Sequence, residues 1–301
     1  MEGPIRLIAV LLILIGSFGS SPASQTRDRL RPDGTGWRAA NGTRFEWRGI
    51  TAFRLVELVA HGREPEAEAY LKWAASQKLT LVRVLAMARV LFELPPADGQ
   101  AALGKLLELS QRHGIAVEVV ALADTASYDF DVRNHVRVIG AIAARFPNAV
   151  IEIANEPYHP TQSAEVHRHA FLRDLRQLIP RDVPVSLGTL DEGGELGAGD
   201  YVTWHSPREA DWPERLRAGA DLVRRFGKPV IADEPMGAAD RAVPGRRDNR
   251  PEHFRAAARI ARESGLGATF HYEGGLQARR PSPREAACLA EWMAGLIPAS
   301  R

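Results

Sequence analysis

Two short stretches decide the fold: residues 149–157 have the sequence AVIEIANEP, and residues 229–235 have the sequence PVIADEP. Each is an apolar, β-type run that ends in a glutamate followed directly by proline. Proline cannot donate to a strand ladder, and it biases the residue before it toward extended backbone. We therefore expect Glu156 and Glu234 to lie at the ends of two buried strands.

Six further apolar runs occur along the chain, and amphipathic stretches separate most of them. The predicted strands are residues 50–53, 79–85, 115–122, 149–154, 183–187, 201–205, 229–233 and 266–272. The predicted helices are residues 65–77, 97–113, 132–146, 163–178 and 283–296. Eight short apolar strands separated by helices predict an α/β fold, in which a parallel sheet closes into a single (β/α)8 TIM barrel.

The two ends of this pattern differ from its centre. Before the first strand, Trp37–Ala40 and Phe45–Trp47 flank the turn pair Asn41-Gly42, which predicts a short N-terminal β-hairpin. Residues 189–199 are glycine-rich and too irregular for a convincing fifth helix. An open, doubly wound sheet therefore remains the alternative to a closed barrel.

The composition excludes several classes of protein. Of the 301 residues, 45% are apolar and 25% are charged, which is the balance of an ordinary globular protein and excludes a disordered chain. With 39 Lys and Arg against 37 Asp and Glu, the net charge is +2, which argues against a nucleic-acid partner. The single cysteine, Cys288, excludes an internal disulfide and a cysteine-based zinc site.

The N-terminus has the pattern of an export signal. Arg6 precedes the apolar run 7–15, and small residues follow through Ala23. We predict a signal peptide over residues 1–23, a linker over 24–33 and a catalytic barrel over 34–298, with the protein secreted, periplasmic or attached to the cell envelope. An uncleaved N-terminal membrane anchor is the alternative; a longer membrane span is not predicted, because nine apolar residues are too few.

Placed after two barrel strands, Glu156 and Glu234 suit cleavage of a glycosidic bond. That reaction needs one carboxylic acid that protonates the leaving oxygen and one carboxylate that attacks the anomeric carbon. The dipeptide Glu-Pro alone is weak, since Glu64-Pro65 has the same sequence and only opens a helix. Two surface glutamates at loop starts are the alternative interpretation.

With these motifs the sequence resembles clan A of the glycoside hydrolases, and most closely the cellulase-like family five. The resemblance covers roughly residues 34–296. It is carried by residues 45–50 as the first strand, Arg83 as the strand-two arginine, Asn155-Glu156-Pro157 as the Asn-Glu-Pro motif of strand four, His205 as the strand-six histidine and Glu234 as the strand-seven glutamate.

The resemblance implies a role for each matching residue. Glu156 would be the acid/base and Glu234 the nucleophile of a retaining double displacement, with Asn155 bonded to the sugar 2-hydroxyl. Arg83 would orient Glu234 and keep it ionised. A salt bridge inside the barrel would also explain this arginine, with Glu118 or Glu152 as its buried partner.

The sequence departs from that family at three places. Ala123-Asp124 stands where the family has a histidine, Pro207 where it has a tyrosine, and Phe270-His271-Tyr272 where it has a tryptophan. Besides His205, we expect Asp124, Phe53 and Tyr272 to contact substrate, with Tyr272 as a sugar-stacking platform; core packing is an equal alternative for this tyrosine.

The predicted protein is thus a glycosidase, a monomer with a carbohydrate substrate and no cofactor, acting on a β-linked glycan. A metal-dependent sugar isomerase or hydrolase is one rival, because Glu156, His205, Glu234, His271 and Asp124 could reach one mouth. A barrel that binds carbohydrate without turnover is the other. Loop arginines also raise the possibility of an acidic sugar; they are Arg54, Arg89, Arg208, Arg246, Arg247, Arg250, Arg279 and Arg280.

Overall fold

The computed structural model describes residues 28–188, 197–206, 211–240 and 250–297. The predicted signal peptide and the irregular stretch 189–196 lie outside these residues. Among the described helices, none has the length and apolar character that crossing a membrane requires.

The chain begins with a small antiparallel sheet of three strands, β1 (Arg31–Asp33), β2 (Gly36–Arg38) and β3 (Arg44–Phe45). The predicted hairpin is therefore present as β2 and β3, and β1 adds a strand to it. Strand β1 falls in the stretch predicted as a linker, and Leu30 is buried. The folded unit therefore already includes residues 31–33 of the stretch predicted as a linker.

Eight parallel strands follow. Except at the two ends of the sheet, strands that are consecutive in the sequence are neighbours in the sheet, and the last of the eight lies beside the first. They are β4 (Arg48–Thr51), β5 (Leu81–Leu85), β6 (Ala116–Leu122), β7 (Ala149–Ala154), β8 (Val185–Ser186), β9 (Val202–Trp204), β10 (Val230–Ala232) and, after the short β11 (Gly237–Ala238), β12 (Gly267–Tyr272). The order runs β8-β7-β6-β5-β4-β12-β10-β9, with every neighbour parallel. The (β/α)8 barrel is confirmed.

Helices connect most of the strands, as the amphipathic stretches predict. They are α1 (Leu55–Ala60), α2 (Glu64–Ser76), α3 (Pro96–Arg112), α4 (Val132–Ala143), α5 (His169–Arg176), α6 (Trp212–Phe226), α7 (Pro251–Glu263), α8 (Glu273–Leu276) and α9 (Pro283–Leu296). The largest boundary error concerns α5, predicted over 163–178. Arg168 has extended backbone, so the helix begins only after it.

The two ends of the sheet, β8 and β9, meet through side chains. The Ser186 and Thr203 hydroxyls lie 2.8 Å apart, and the Ser186 hydroxyl also accepts from the Thr203 amide at 3.2 Å. Just before β9, the Asp200 amide donates to the Val185 carbonyl at 2.6 Å. Between the described residues of these two strands, hydroxyl groups replace a regular backbone ladder and complete the barrel.

The N-terminal end of the barrel is closed by aromatic side chains. The rings of Trp37 and Trp47 lie 5.0 Å apart, and that of Tyr201 lies 5.1 Å from Trp37. All three are buried. Above this apolar floor, the barrel interior contains fully buried polar side chains, including Arg83, Glu118 and Glu152. Such an interior is costly unless its charges are paired, so these residues mark the candidate site.

Candidate active site

Arg83 on β5 lies at the centre of the barrel and is completely buried. Its Nε and Nη2 donate to one oxygen of Glu152, at 2.9 and 2.7 Å, and its Nη1 donates to Glu234 at 2.9 Å. Nη2 also donates to the Asn155 side-chain oxygen at 2.9 Å. The guanidinium, whose fork presents donors in several directions, therefore connects strand β7 to the loop after β10.

Glu156 and Glu234 follow the C-terminal ends of β7 and β10 and meet at the mouth of the barrel. One oxygen of each carboxylate and one ring nitrogen of His205 lie within 4.8 Å of one another. The Glu234 side chain is 10% exposed and that of Glu156 is 29% exposed. Two acidic groups far apart in sequence thus share one cavity, and the outer one is open to solvent.

The backbone at Glu156 differs from the expectation for a residue before proline. Its φ is +41°, in the left-handed region, rather than extended. A residue with a Cβ is strained there, at a cost of order 1–3 kcal/mol, and such strain is concentrated at functional sites. This conformation follows directly on the last residues of β7 and aims the carboxylate toward His205.

His205, directly after β9, links the two glutamates. Its Nδ1 is 3.2 Å from Glu156 and its Nε2 is 3.9 Å from Glu234. The hydrogen bond from His205 is the main cause that lowers the pKa of Glu156. Burial opposes the charging of His205, but the Glu234 charge and the bond to Glu156 outweigh it and raise the pKa of the imidazole. The pair therefore favours an imidazolium beside a carboxylate.

His271 on β12 completes the surroundings of Glu234. Its Nε2 lies 3.8 Å from Glu234 Oε2, and its Nδ1 lies 3.0 Å from the Thr51 hydroxyl. A Thr51 hydroxyl that donates to Nδ1 places the ring proton on Nε2, facing the carboxylate. Sequence reasoning considered His271 only as a metal ligand. Its position beside Tyr272, where a departure from the family pattern was visible, was the available signal.

Tyr272 is not a sugar platform in this structure. Its side chain is fully buried, its ring stacks on Phe270 with centroids 5.4 Å apart, and its hydroxyl lies 2.7 Å from that of Tyr70. The hydroxyl also donates to the Arg279 carbonyl at 2.6 Å. The core-packing alternative describes this residue, because every face of it is already in contact with protein.

Two other predicted substrate contacts have structural partners instead. One Asp124 oxygen accepts the amides of Arg89 and Val90, both at 2.9 Å, so Asp124 holds the loop after β5. Phe53 is 3% exposed, and the Arg83 guanidinium lies over its ring at 5.3 Å. The phenylalanine therefore packs against the arginine and is almost fully buried.

An exposed aromatic side chain does lie beside the two glutamates. Tyr158, two residues after Glu156, is 56% exposed. Partial burial and the negative charges of Glu156 and Glu234 raise its pKa to about 12. The sequence analysis did not select it, although its place in the loop after β7 was a usable signal.

The loop arginines are largely engaged within the protein. Arg54 bonds Glu57, Arg89 bonds Glu93, and Arg279 bonds Asp240 at 3.0 Å. Arg250 and Arg280 contact His253 and the Ala69 carbonyl. Arg208, Arg246 and Arg247 lie outside the described residues. The described arginines therefore give no support to an acidic sugar.

Comparison with known proteins identifies the fold. Neither a protein-family model nor a curated protein sequence matches this chain. Among solved structures, a β-glucanase from Saccharophagus degradans has a TM-score of 0.64 at 11% identity, covering 91% of this chain and 95% of its own. A family 5 mannosidase from Rhizomucor miehei has a TM-score of 0.63 at 12% identity, covering 89% and 98%.

A candidate glycoside hydrolase from Bacteroides vulgatus has a TM-score of 0.65 at 17% identity and covers 92% of this chain. The present chain spans 63% of that protein's length. The chain thus has the barrel fold of glycoside hydrolase family 5 structures. At these identities the likeness concerns the fold, and an argument about chemistry depends on the site itself.

Proposed function

We propose that this protein is a retaining glycoside hydrolase that cleaves a β-linked glycan by double displacement, with Glu156 as acid/base and Glu234 as nucleophile. The observation that carries the proposal is the approach of the two carboxylates to within 4.8 Å. Retaining enzymes place these groups about 5–5.5 Å apart, whereas inverting enzymes need about 6.5–9.5 Å to admit a water molecule.

In the first displacement, a Glu234 oxygen attacks the anomeric carbon as the bond to the leaving oxygen breaks. The leaving oxygen takes the proton that is held between Glu156 and His205 Nδ1. In the second, Glu156 accepts a proton from water, the water oxygen attacks the anomeric carbon, and the ester bond to Glu234 breaks. Arg83 fixes the Glu234 carboxylate throughout, and His271 faces its other oxygen.

Two neighbouring groups fit substrate contacts. The amide of Asn155 is held by Arg83 next to Glu234, where the 2-hydroxyl of a bound sugar would lie. The exposed ring of Tyr158 is a candidate stacking surface for a second sugar unit. Because solved structures of the same fold include a β-glucanase and a mannosidase, β-glucans and β-mannans are the first substrates to test.

The metal-dependent alternative is less well supported. Glu156, His205 and Glu234 are close enough to hold an ion. However, the Arg83 guanidinium lies 2.9 Å from Glu234 and 3.5 Å from His205, so a cation bound there would be repelled by a fixed positive charge. Asp124 and His271 do not join this group. Full activity after treatment with a chelator would agree with this view.

A direct test combines a substrate panel with trapping of the intermediate. The purified protein is assayed on β-glucans, β-mannans and aryl β-glycosides, and the configuration of the first product is followed by NMR. A 2-fluoro glycoside of an accepted sugar should leave a covalent adduct that mass spectrometry locates on Glu234. Inversion of configuration, or an adduct elsewhere, would contradict the mechanism.

Variants of the two glutamates should behave differently. Glu234→Gln should lose roughly 10⁴-fold or more of turnover on every substrate, because the nucleophile is gone. Glu156→Ala should lose about 10²–10⁴-fold on polysaccharides but much less on aryl glycosides whose leaving groups need no proton. Glu64→Gln, at the Glu-Pro pair that opens α2, is the matched control and should leave activity unchanged. Binding without hydrolysis by the unmodified protein would favour the non-catalytic alternative.

A further inference from the structure

Below the candidate active site, two fully buried carboxylates each have one oxygen without a hydrogen-bond partner. These oxygens are Glu118 Oε2 on β6 and Asp233 Oδ2, directly after β10. One oxygen each from Glu118, Glu152 and Asp233 lies within 4.8 Å of the others. The second oxygens are bonded: Glu118 Oε1 accepts from the Tyr201 hydroxyl at 2.8 Å, and Asp233 Oδ1 accepts from Thr269 at 2.9 Å.

The only guanidinium or ammonium group at this cluster, among the described residues, is Arg83, and its donors are directed elsewhere. They go to Glu152, Glu234 and Asn155. Arg83 Nε is 3.7 Å from Glu118 Oε2, beyond hydrogen-bond distance. If all the buried carboxylates were ionised, Glu118 Oε2 and Asp233 Oδ2 would both be charged oxygens without a hydrogen-bond donor. Such an arrangement is strongly unfavourable in a low-dielectric interior.

We propose that Glu118 keeps its proton at neutral pH, so that a neutral carboxylic acid lies beside the Asp233 carboxylate below Glu234. The proton makes Glu118 Oε2, one of the two oxygens without a hydrogen-bond partner, a neutral hydroxyl group. It also removes one negative charge from beside Asp233, the chain neighbour of Glu234. Glu118 is thereby a positioning residue, which acts on Glu234 through Asp233 and Arg83.

The groups that face this pair agree with a proton there. Arg83 from β5, Glu152 from β7, Tyr201 before β9, Thr269 from β12, and His205 and Glu234 at the mouth surround it. Burial, followed by the charges of Asp233 and Glu152, raises the pKa of Glu118 well above its usual value. Burial also raises the pKa of Asp233, to about 6.

A bound metal ion would satisfy the same oxygens less well. Calcium takes six to eight oxygen ligands, whereas this cluster brings together three carboxylates, of which Glu152 already accepts twice from Arg83. An ion would also lie close to the guanidinium. A proton needs only one of the two oxygens that have no hydrogen-bond partner, so it is the simpler occupant.

The test compares Glu118→Gln with Glu152→Gln, two equally buried glutamates on neighbouring strands. A glutamine mimics the protonated acid, so Glu118→Gln should change the melting temperature by no more than about 3 °C. Glu152→Gln removes the charge that Arg83 binds and should lower it by about 10 °C or more. Equal losses in the two variants would overturn the proposal.

Infrared spectroscopy detects the proton directly and does not depend on the proposed reaction. The unmodified protein at pH 7 should show a protonated-carboxyl C=O stretch that shifts in heavy water and is absent from Glu118→Gln. Absence of this band from the unmodified protein would overturn the assignment. If added Na⁺ or Ca²⁺ stabilised the unmodified protein but not Glu118→Gln, an ion rather than a proton would occupy the cluster, and the proposal would be overturned.

The pH dependence of stability gives a third readout. Because the pKa of Glu118 is raised on folding, the native chain binds more protons than the unfolded chain above the usual pKa of a glutamate. Stability should therefore fall as pH rises through the folded pKa, and this loss should be smaller in Glu118→Gln. An unchanged profile in that variant would argue against a proton on Glu118.

Discussion

Strands β5, β6 and β7 have five, seven and six residues, whereas β8, β9 and β10 have two, three and three. The proposed acid/base follows the long strands and the proposed nucleophile follows the short ones. In the first half, backbone ladders of up to five paired positions fix the strand ends. In the second half, side-chain hydrogen bonds do much of this positioning of the strand ends.

Arg83 connects the two halves. It originates in the middle of β5 and reaches Glu234, which follows β10. The Ser186–Thr203 contact joins β8 to β9, two of the short strands of the second half. The side chain of Glu234, the proposed nucleophile, is therefore positioned by a hydrogen bond from the regular half as well as by its own short strand, so the second half depends on the first.

Removing Arg83 should have the largest effect on this dependence. Arg83→Met keeps the length of the side chain but leaves Glu152 and Glu234 buried without their cation, which costs about 3–5 kcal/mol of unfolding free energy. Denaturant unfolding would measure this, and any folded fraction should lack glycosidase activity. Arg63→Met, at the exposed Arg63–Glu66 pair, is the control and should change neither. If Arg83→Met were as stable as the unmodified protein, the second half of the barrel would not depend on Arg83.

Replacing His205 should have a smaller effect, visible in the pH profile. In the unmodified protein, the raised pKa of His205 and the lowered pKa of Glu156 keep one proton on the pair to above about pH 6.5. In His205→Ala, Glu156 must hold the proton alone, so the alkaline limb of kcat/KM should move to lower pH. His113→Ala, at the C-terminal end of α3, should keep the original profile. A shift to higher pH would contradict the assignment.

Replacing Ser186 should have the smallest effect and sharpen the view of the second half. Ser186→Ala removes the acceptor of the buried Thr203 amide and leaves the Thr203 hydroxyl with only its 3.3 Å bond to Glu152, which costs about 1–2 kcal/mol. Thermal unfolding would measure it, with the exposed Ser76→Ala as the matched control. If the barrel is equally stable without this hydroxyl, the short strands are held together by other contacts.

The strands and most helices were predictable because their buried faces require a regular spacing of apolar residues in the sequence. The bounds predicted for β7 and α9 agree with the structure, since an apolar run and an N-terminal Ser282–Glu285 capping box give clear limits. Strand β1 was missed because Arg31–Asp33 is a polar edge strand, which has no apolar alternation. Helix α5 was predicted too long because hydrophobic periodicity does not show that the residues leading up to Arg168 lie outside the helix.

For the site, the sequence indicated which residues end the strands but not what surrounds them. The Glu-Pro pairs after two predicted strands indicated Glu156 and Glu234, which meet in the structure. The family resemblance indicated Arg83, and strand phase offered Glu118 and Glu152 as alternatives for its buried partner. Arg83 is hydrogen-bonded to Glu152. Tyr272, Phe53 and Asp124 were placed at the correct end of the barrel, yet their side-chain partners depend on loops whose shape no periodicity encodes. The same reason explains why Tyr158 was overlooked and why His271 was considered only as a metal ligand.

The left-handed backbone at Glu156 has one more consequence. A glycine adopts that conformation without penalty, so the chain gives up some stability at this position by having a side chain there at all. At this position some stability of the fold is lost in order to hold a carboxylate at the mouth of the barrel. Engineering for heat resistance should leave this residue alone and look instead at the short-stranded side of the molecule.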